Sequence, residues 1–106
     1  MKKITRESLK DMMDRKANFL LIDAREHEAY DKEHLPGAVS IPSDHLDKHL
    51  LTGHRKTETM ITYCSSFDCG ASTVAAKKLE GYGFKKVLDF KGGIKDWKSA
   101  KYRTEK

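Results

Sequence analysis

The chain has 106 residues, of which 38% are hydrophobic and 35% charged, and its formal net charge is +5. That length supports a single core and points to one domain over residues 1–106, and no apolar stretch is long enough for a transmembrane helix. Met1-Lys2-Lys3 is basic, but no apolar region follows it, so the sequence predicts no signal peptide and a cytoplasmic setting.

A brief strand at Lys3-Ile4 opens the chain. Thr5 is placed to cap a helix with Glu7 in its first turn and Leu9, Met12 and Met13 at helical spacing. Phe19-Leu20-Leu21-Ile22 is a short continuous apolar run, the pattern of a strand buried on both faces, and it stops at Asp23. Residues Glu26 to Asp31 suit a short helix. Ala38-Val39-Ser40-Ile41 reads as a strand bracketed by Pro36-Gly37 and Pro42, and Ser43 as the cap of a helix carrying Leu46 and Leu50. Met60 to Tyr63 is a further strand, and the helix after it should end near Gly81 or Gly83. Lys86-Val87-Leu88 is a strand, and Gly92-Gly93 precedes a last helix with Ile94 and Trp97. Alternating strands and helices predict an α/β fold with a mostly parallel sheet of five strands and helices on both faces. In such sheets ligands bind at the carboxyl ends of the strands, where Asp23 and Cys64 both fall.

Cys64 directly follows the run Met60-Ile61-Thr62-Tyr63 and precedes a polar loop and a helix start. A thiol at that junction can face loop N–H groups and a helix N-terminus, which lower its pKa and hold anions. The alternative is a cysteine that merely packs in a turn.

Several residue groups together resemble the rhodanese domain family. Leu21-Ile22-Asp23-Ala24-Arg25, Glu28-Ala29-Tyr30 and His34-Leu35-Pro36-Gly37-Ala38-Val39-Ser40-Ile41-Pro42 are similar to its N-terminal signature. Tyr63-Cys64 matches its active-site position, and Ala75-Ala76, Leu79, Gly83-Phe84, Val87, Gly92-Gly93-Ile94 and Trp97 match its C-terminal half. The resemblance implies a three-layer α/β/α sandwich and sulfurtransferase chemistry through a persulfide on Cys64, without metal or cofactor. It also implies that Asp23 and Arg25 form structural hydrogen bonds and ion pairs at a strand end, and that Tyr30, His34 and Gly37 shape a turn.

The implied chemistry is covalent catalysis in two steps. The Cys64 thiolate takes the outer sulfur of a small anionic donor such as thiosulfate, and a thiol, a protein thiol or cyanide then removes it. Such a site must stabilise anionic sulfur. The loop Ser65, Ser66, Phe67, Asp68, Cys69 and Gly70 offers N–H donors, Ser65, Ser66 and Ser72 offer hydroxyls, and Gly70 offers backbone freedom. Each serine reads equally as turn or cap chemistry.

This loop departs from the family pattern. It is about two residues longer, and between Cys64 and Ser72 there is no Arg, Lys or His. Its one charged side chain, Asp68, opposes anion binding. Rhodanese-fold phosphatases and arsenate reductases use a Cys-x5-Arg loop, but here Gly70 stands six residues after Cys64, which argues against phosphoryl chemistry.

Cys69 puts a second thiol in the loop, either as a resolving thiol for Cys64 or as a small packing residue. With no export signal, both thiols are expected reduced. His45 and His49 stand at i, i+4 and would share a helical face, by design or by coincidence; the pair is too few ligands for zinc. Residues 91–106 hold six basic side chains against two acidic ones, four of the five net positive charges. That reads as a solvated helix end, with no aromatic-interleaved stripe or nucleic-acid motif, and neither nucleic acid nor membrane is an expected partner. Three readings follow: a sulfurtransferase or persulfide carrier, a redox module using Cys64 and Cys69, and a weakly catalytic interaction domain.

Overall fold

Strand periodicity sorts the core into two halves. In the computed structural model, which describes residues 1–106 throughout, five strands form one sheet: β1 (Lys2–Lys3), β2 (Leu20–Asp23), β3 (Val39–Ser40), β4 (Thr59–Tyr63) and β5 (Lys86–Phe90). The order is β1-β5-β4-β2-β3 and every pairing is parallel. Side chains alternate across the sheet. Ile22, Met60 and Val87 therefore pack on one face with Ala75, Ala76 and Leu79 of α3 (Ala71–Gly81). Leu21, Ile61, Tyr63 and Phe90 pack on the other with Leu9 of α1 (Arg6–Asp14) and Ile94 and Trp97 of α4 (Gly93–Ser99). The result is the α/β/α sandwich on a five-stranded sheet.

The helix ends follow local chemistry. The Thr5 side chain accepts from the Ser8 N–H and so caps α1. A short α2 (His27–Lys32) follows β2. Trp97 is buried, donates its Nε1–H to the Arg103 carbonyl at 2.8 Å and packs edge-on against Phe90 and Tyr102.

One expected element differs. Ser43 caps no α-helix; residues 43–45 are a turn, and a single 3-10 turn spans Lys48–Leu51 with Asp47 accepting from the His49 N–H. Leu46 is buried but Leu50 is 57% exposed, so the two leucines do not share the face a helix would give them. His45 and His49 consequently share no helical face; the ring nearest His45 is that of His27, with centroids 6.2 Å apart.

Candidate active site

Two neighbouring strand ends carry the chemistry-bearing residues, because β2 and β4 pair in register with Asp23 opposite Tyr63. At the end of β2, Asp23 is fully buried. It pairs with Arg25 at 2.7 Å, accepts from the Tyr63 hydroxyl at 2.8 Å and from the Arg25 backbone N–H at 3.0 Å. Tyr63 in turn accepts from the Leu35 N–H, and Arg25 donates to the Glu33 carbonyl. Burial lowers the Arg25 pKa, but the hydrogen bond and charge of Asp23 outweigh it and leave the pKa raised. Burial, then the charge of Asp23, push the Tyr63 phenol far above the ordinary tyrosine value. These groups satisfy one another and leave little for a ligand.

The end of β4 is different. Cys64 follows Tyr63 and is 1% exposed. Its carbonyl accepts from the Ile94 N–H at 3.0 Å, and the Ser65 carbonyl accepts from the Lys95 N–H at 2.9 Å. The first turn of α4 thus clamps the start of the loop. Gly93 makes the approach possible. Its φ is +66°, and a Cβ there would lie 2.5 Å from the Cys64 carbonyl oxygen and 2.7 Å from the Ser65 carbonyl carbon.

Beyond the clamp the loop is open. The Cys69 N–H donates to the Ser66 carbonyl, whereas the N–H groups of Ser65, Ser66, Phe67, Asp68 and Gly70 donate to no protein acceptor. Gly70 precedes α3 and no side chain caps that helix, so its N-terminal donors are open as well. Phe67 is 63% exposed and Asp68 is exposed. Among the hydroxyls, Ser65 Oγ lies 3.9 Å from Cys64 Sγ, while Ser72 Oγ is sealed in the interior without a partner.

Two sequence expectations change here. Cys64 and Cys69 are joined by a disulfide, not held as two reduced thiols. The loop's turn needs no special freedom at Gly70, whose φ is −92° with open space at its Cβ position; the constrained glycine is Gly93, on the opposing helix. The loop also has cations nearby that lie elsewhere in the sequence. Lys91 Nζ donates to the Cys69 carbonyl at 2.6 Å, and Lys95 lines a shallow pocket with Ser66, Phe67, Asp68, Gly92 and Asp96. The only signal for them in the sequence is the basic segment after β5.

Chemically, the β4 end combines a sulfur centre, a row of unpartnered N–H donors and the Lys91 ammonium, with Lys95 beside Asp68 and Asp96 in the adjoining pocket. That set suits an anionic sulfur species better than a neutral one.

The chain is similar to known proteins in sequence and in fold. A family model described as rhodanese-like domain matches residues 5–100. The chain is 33% identical over 94 residues to the candidate sulfur carrier protein YrkF of Bacillus subtilis (strain 168), covering 89% of this chain and 49% of that protein. It is 34% identical over 88 residues to the adenylyltransferase and sulfurtransferase UBA4 of Debaryomyces hansenii, covering 76% of this chain and 19% of that protein. With the thiosulfate sulfurtransferase GlpE of Coxiella burnetii (strain RSA 331 / Henzerling II) it shares 26% identity over 85 residues, 80% of this chain and 77% of that one. The chain therefore spans about half the length of YrkF and about a fifth of UBA4. Among solved structures, the BH2092 protein from Bacillus halodurans superposes with a TM-score of 0.92 at 28% identity, over 98% of this chain and 76% of that one.

Proposed function

The chain belongs to the rhodanese-like domain family, and from that premise we propose that it transfers sulfane sulfur through a persulfide on Cys64. One observation carries the reading: Cys64 ends β4 beside a loop whose N–H groups have no protein acceptor. Once the bridge to Cys69 is reduced, the Cys64 thiolate attacks the outer sulfur of thiosulfate. The S–S bond of the donor breaks, sulfite leaves with the electron pair, and Cys64 keeps the sulfur as a persulfide anion. An acceptor thiolate or cyanide then takes that sulfur and returns the Cys64 thiolate. The free loop N–H groups and the ammonium groups of Lys91 and Lys95 offset the negative charge at each stage. We read Lys91 as the cation that the loop's own sequence lacks.

The likeness to a sulfur carrier and to sulfurtransferases supports a protein or small thiol as acceptor. We read the setting as cytoplasmic, where thiols supply both acceptor and reductant. The disulfide favours one second reading, a thiol redox module without sulfur uptake.

A single assay separates them. Reduced protein freed of reductant is mixed with thiosulfate, sulfite is measured, and cyanide is added to collect thiocyanate. The wild type should release sulfite and yield thiocyanate, and Cys64→Ser should lose about a thousandfold or more of this activity. A wild type that takes up no sulfur, yet cycles between bridged and reduced forms, would be a redox module.

A further inference from the structure

Resting on the sulfur-transfer reading, we infer that the protein also releases its bound sulfur as hydrosulfide, with Cys69 as the attacking thiolate and an external dithiol as reductant. The loop brings the two sulfurs into bonding contact: Cys64 and Cys69, five residues apart, form a disulfide with their Cα atoms 6.2 Å apart. That separation lies within the ordinary disulfide range. In a persulfide, Cys64 Sγ is the inner sulfur, and it is the atom that Cys69 Sγ meets.

Contacts independent of the sulfur–sulfur bond hold both partners. Cys64 is fixed through its carbonyl by the Ile94 N–H, and Cys69 through its N–H to Ser66 and its carbonyl to Lys91. Opening the bridge leaves those anchors in place, so the reduced Cys69 thiol stays near its target. A tethered thiol of this kind acts at an effective concentration on the order of millimolar with no external thiol present.

The step balances without an oxidant. The Cys69 thiol gives up its proton and attacks Cys64 Sγ as the thiolate, the Cys64–sulfur bond of the persulfide anion breaks, and the outer sulfur leaves with that electron pair and takes the proton, departing as hydrosulfide. The product is the Cys64–Cys69 bridge. Resetting it needs two electrons from a dithiol. Cys69 is partly exposed whereas Cys64 is buried, so the reductant attacks Cys69 and expels Cys64 as the thiolate ready for the next donor. Over one cycle thiosulfate and a dithiol become sulfite, hydrosulfide and a disulfide.

The test uses the full chain, reduced, desalted and handled without oxygen. Thiosulfate is added with no thiol present, and sulfite, hydrosulfide and intact mass are followed for wild type and Cys69→Ser. Cys69→Ala replaces the serine variant should circular dichroism show that it has not folded. The wild type should release one hydrosulfide for each sulfite, stop after one turnover with Cys64 and Cys69 bridged, and restart when dithiothreitol is added. The variant should release sulfite, keep its extra sulfur and give no hydrosulfide, its persulfide lasting about tenfold longer or more. A wild-type persulfide that lasts as long as the variant's, or a bridge that forms without hydrosulfide, overturns the release step and leaves sulfur transfer standing. No sulfite from either protein overturns both.

Discussion

At the end of β2, Asp23, Arg25, Tyr63 and the Leu35 N–H form a closed set in which each polar group has a partner inside the protein. At the end of β4, one strand away, five loop N–H groups have none. The two sites share strand direction, depth in the sheet and family context, yet only one has bonding capacity left over. Backbone and side-chain groups that satisfy one another make structure; groups left unsatisfied at a surface wait for a ligand. A carboxylate and a guanidinium at a strand end suggest acid–base or anion-binding chemistry on composition alone. Here their bonds to one another link β2, β4 and the Leu35 turn.

The largest way to break this contrast is to remove Asp23. Asp23→Ala leaves Arg25 and the Tyr63 hydroxyl without their main partner in a buried setting, and should cost about 3 kcal/mol or more of stability in urea unfolding. The folded fraction should still take sulfur from thiosulfate. Unchanged stability would show that the network is not structural, and loss of uptake by folded protein would move Asp23 into the chemistry.

Gly93→Ala strikes the clamp from the other side. The added methyl would press on the backbone of Cys64, Ser65 and Ser66, at a residue whose φ of +66° already strains any side chain. Backbone atoms cannot move aside as a flexible side chain can, so a stability loss of about 2 kcal/mol is expected. Sulfur uptake should fall as well, because the methyl displaces the peptide of Cys64, the proposed nucleophile. Full activity in the variant would mean that loop geometry tolerates the shift and that the α4 clamp is not needed.

The smallest expected effect sharpens the open side. Lys91→Met should leave stability nearly intact but raise the KM for thiosulfate roughly tenfold, about 1.4 kcal/mol, through loss of a charge-assisted bond and of one positive charge beside the loop. Steady-state kinetics checks it. An unchanged KM would confine Lys91 to its contact with the Cys69 carbonyl.

The sequence made β2, β4 and β5 legible because each contains a run of apolar residues, whereas β1 is the pair Lys2–Lys3, one residue earlier than expected, and β3 keeps only Val39–Ser40 of its expected four residues. Their ends were less clear: β5 continues past Leu88 to Asp89 and Phe90, where a buried carboxylate breaks the apolar pattern but Thr73 of α3 donates to it at 2.7 Å. Thr5 was readable since its cap bond is made three residues away. The Ser43 helix was not, because leucine spacing alone cannot tell that Asp47 starts a 3-10 turn instead. At the site, the position of Cys64 could be read from strand followed by loop. Lys91 could not, since its bond to Cys69 joins residues 22 apart and depends on β4 and β5 lying side by side. Gly93 gave only a break in the chain, while its close approach to Cys64 emerges from tertiary packing.

The clamp also sets an order of events during synthesis. Translation delivers β4 and its loop well before Lys91, Ile94 and Lys95, and β1 finds no neighbour in the sheet until β5 has been made. A nascent chain that stops short of α4 therefore carries Cys64 and Cys69 on a loop with nothing to hold its carbonyls, at the growing edge of a sheet built from distant pairings. The loop is made well before α4 but takes its shape only once α4 has followed it.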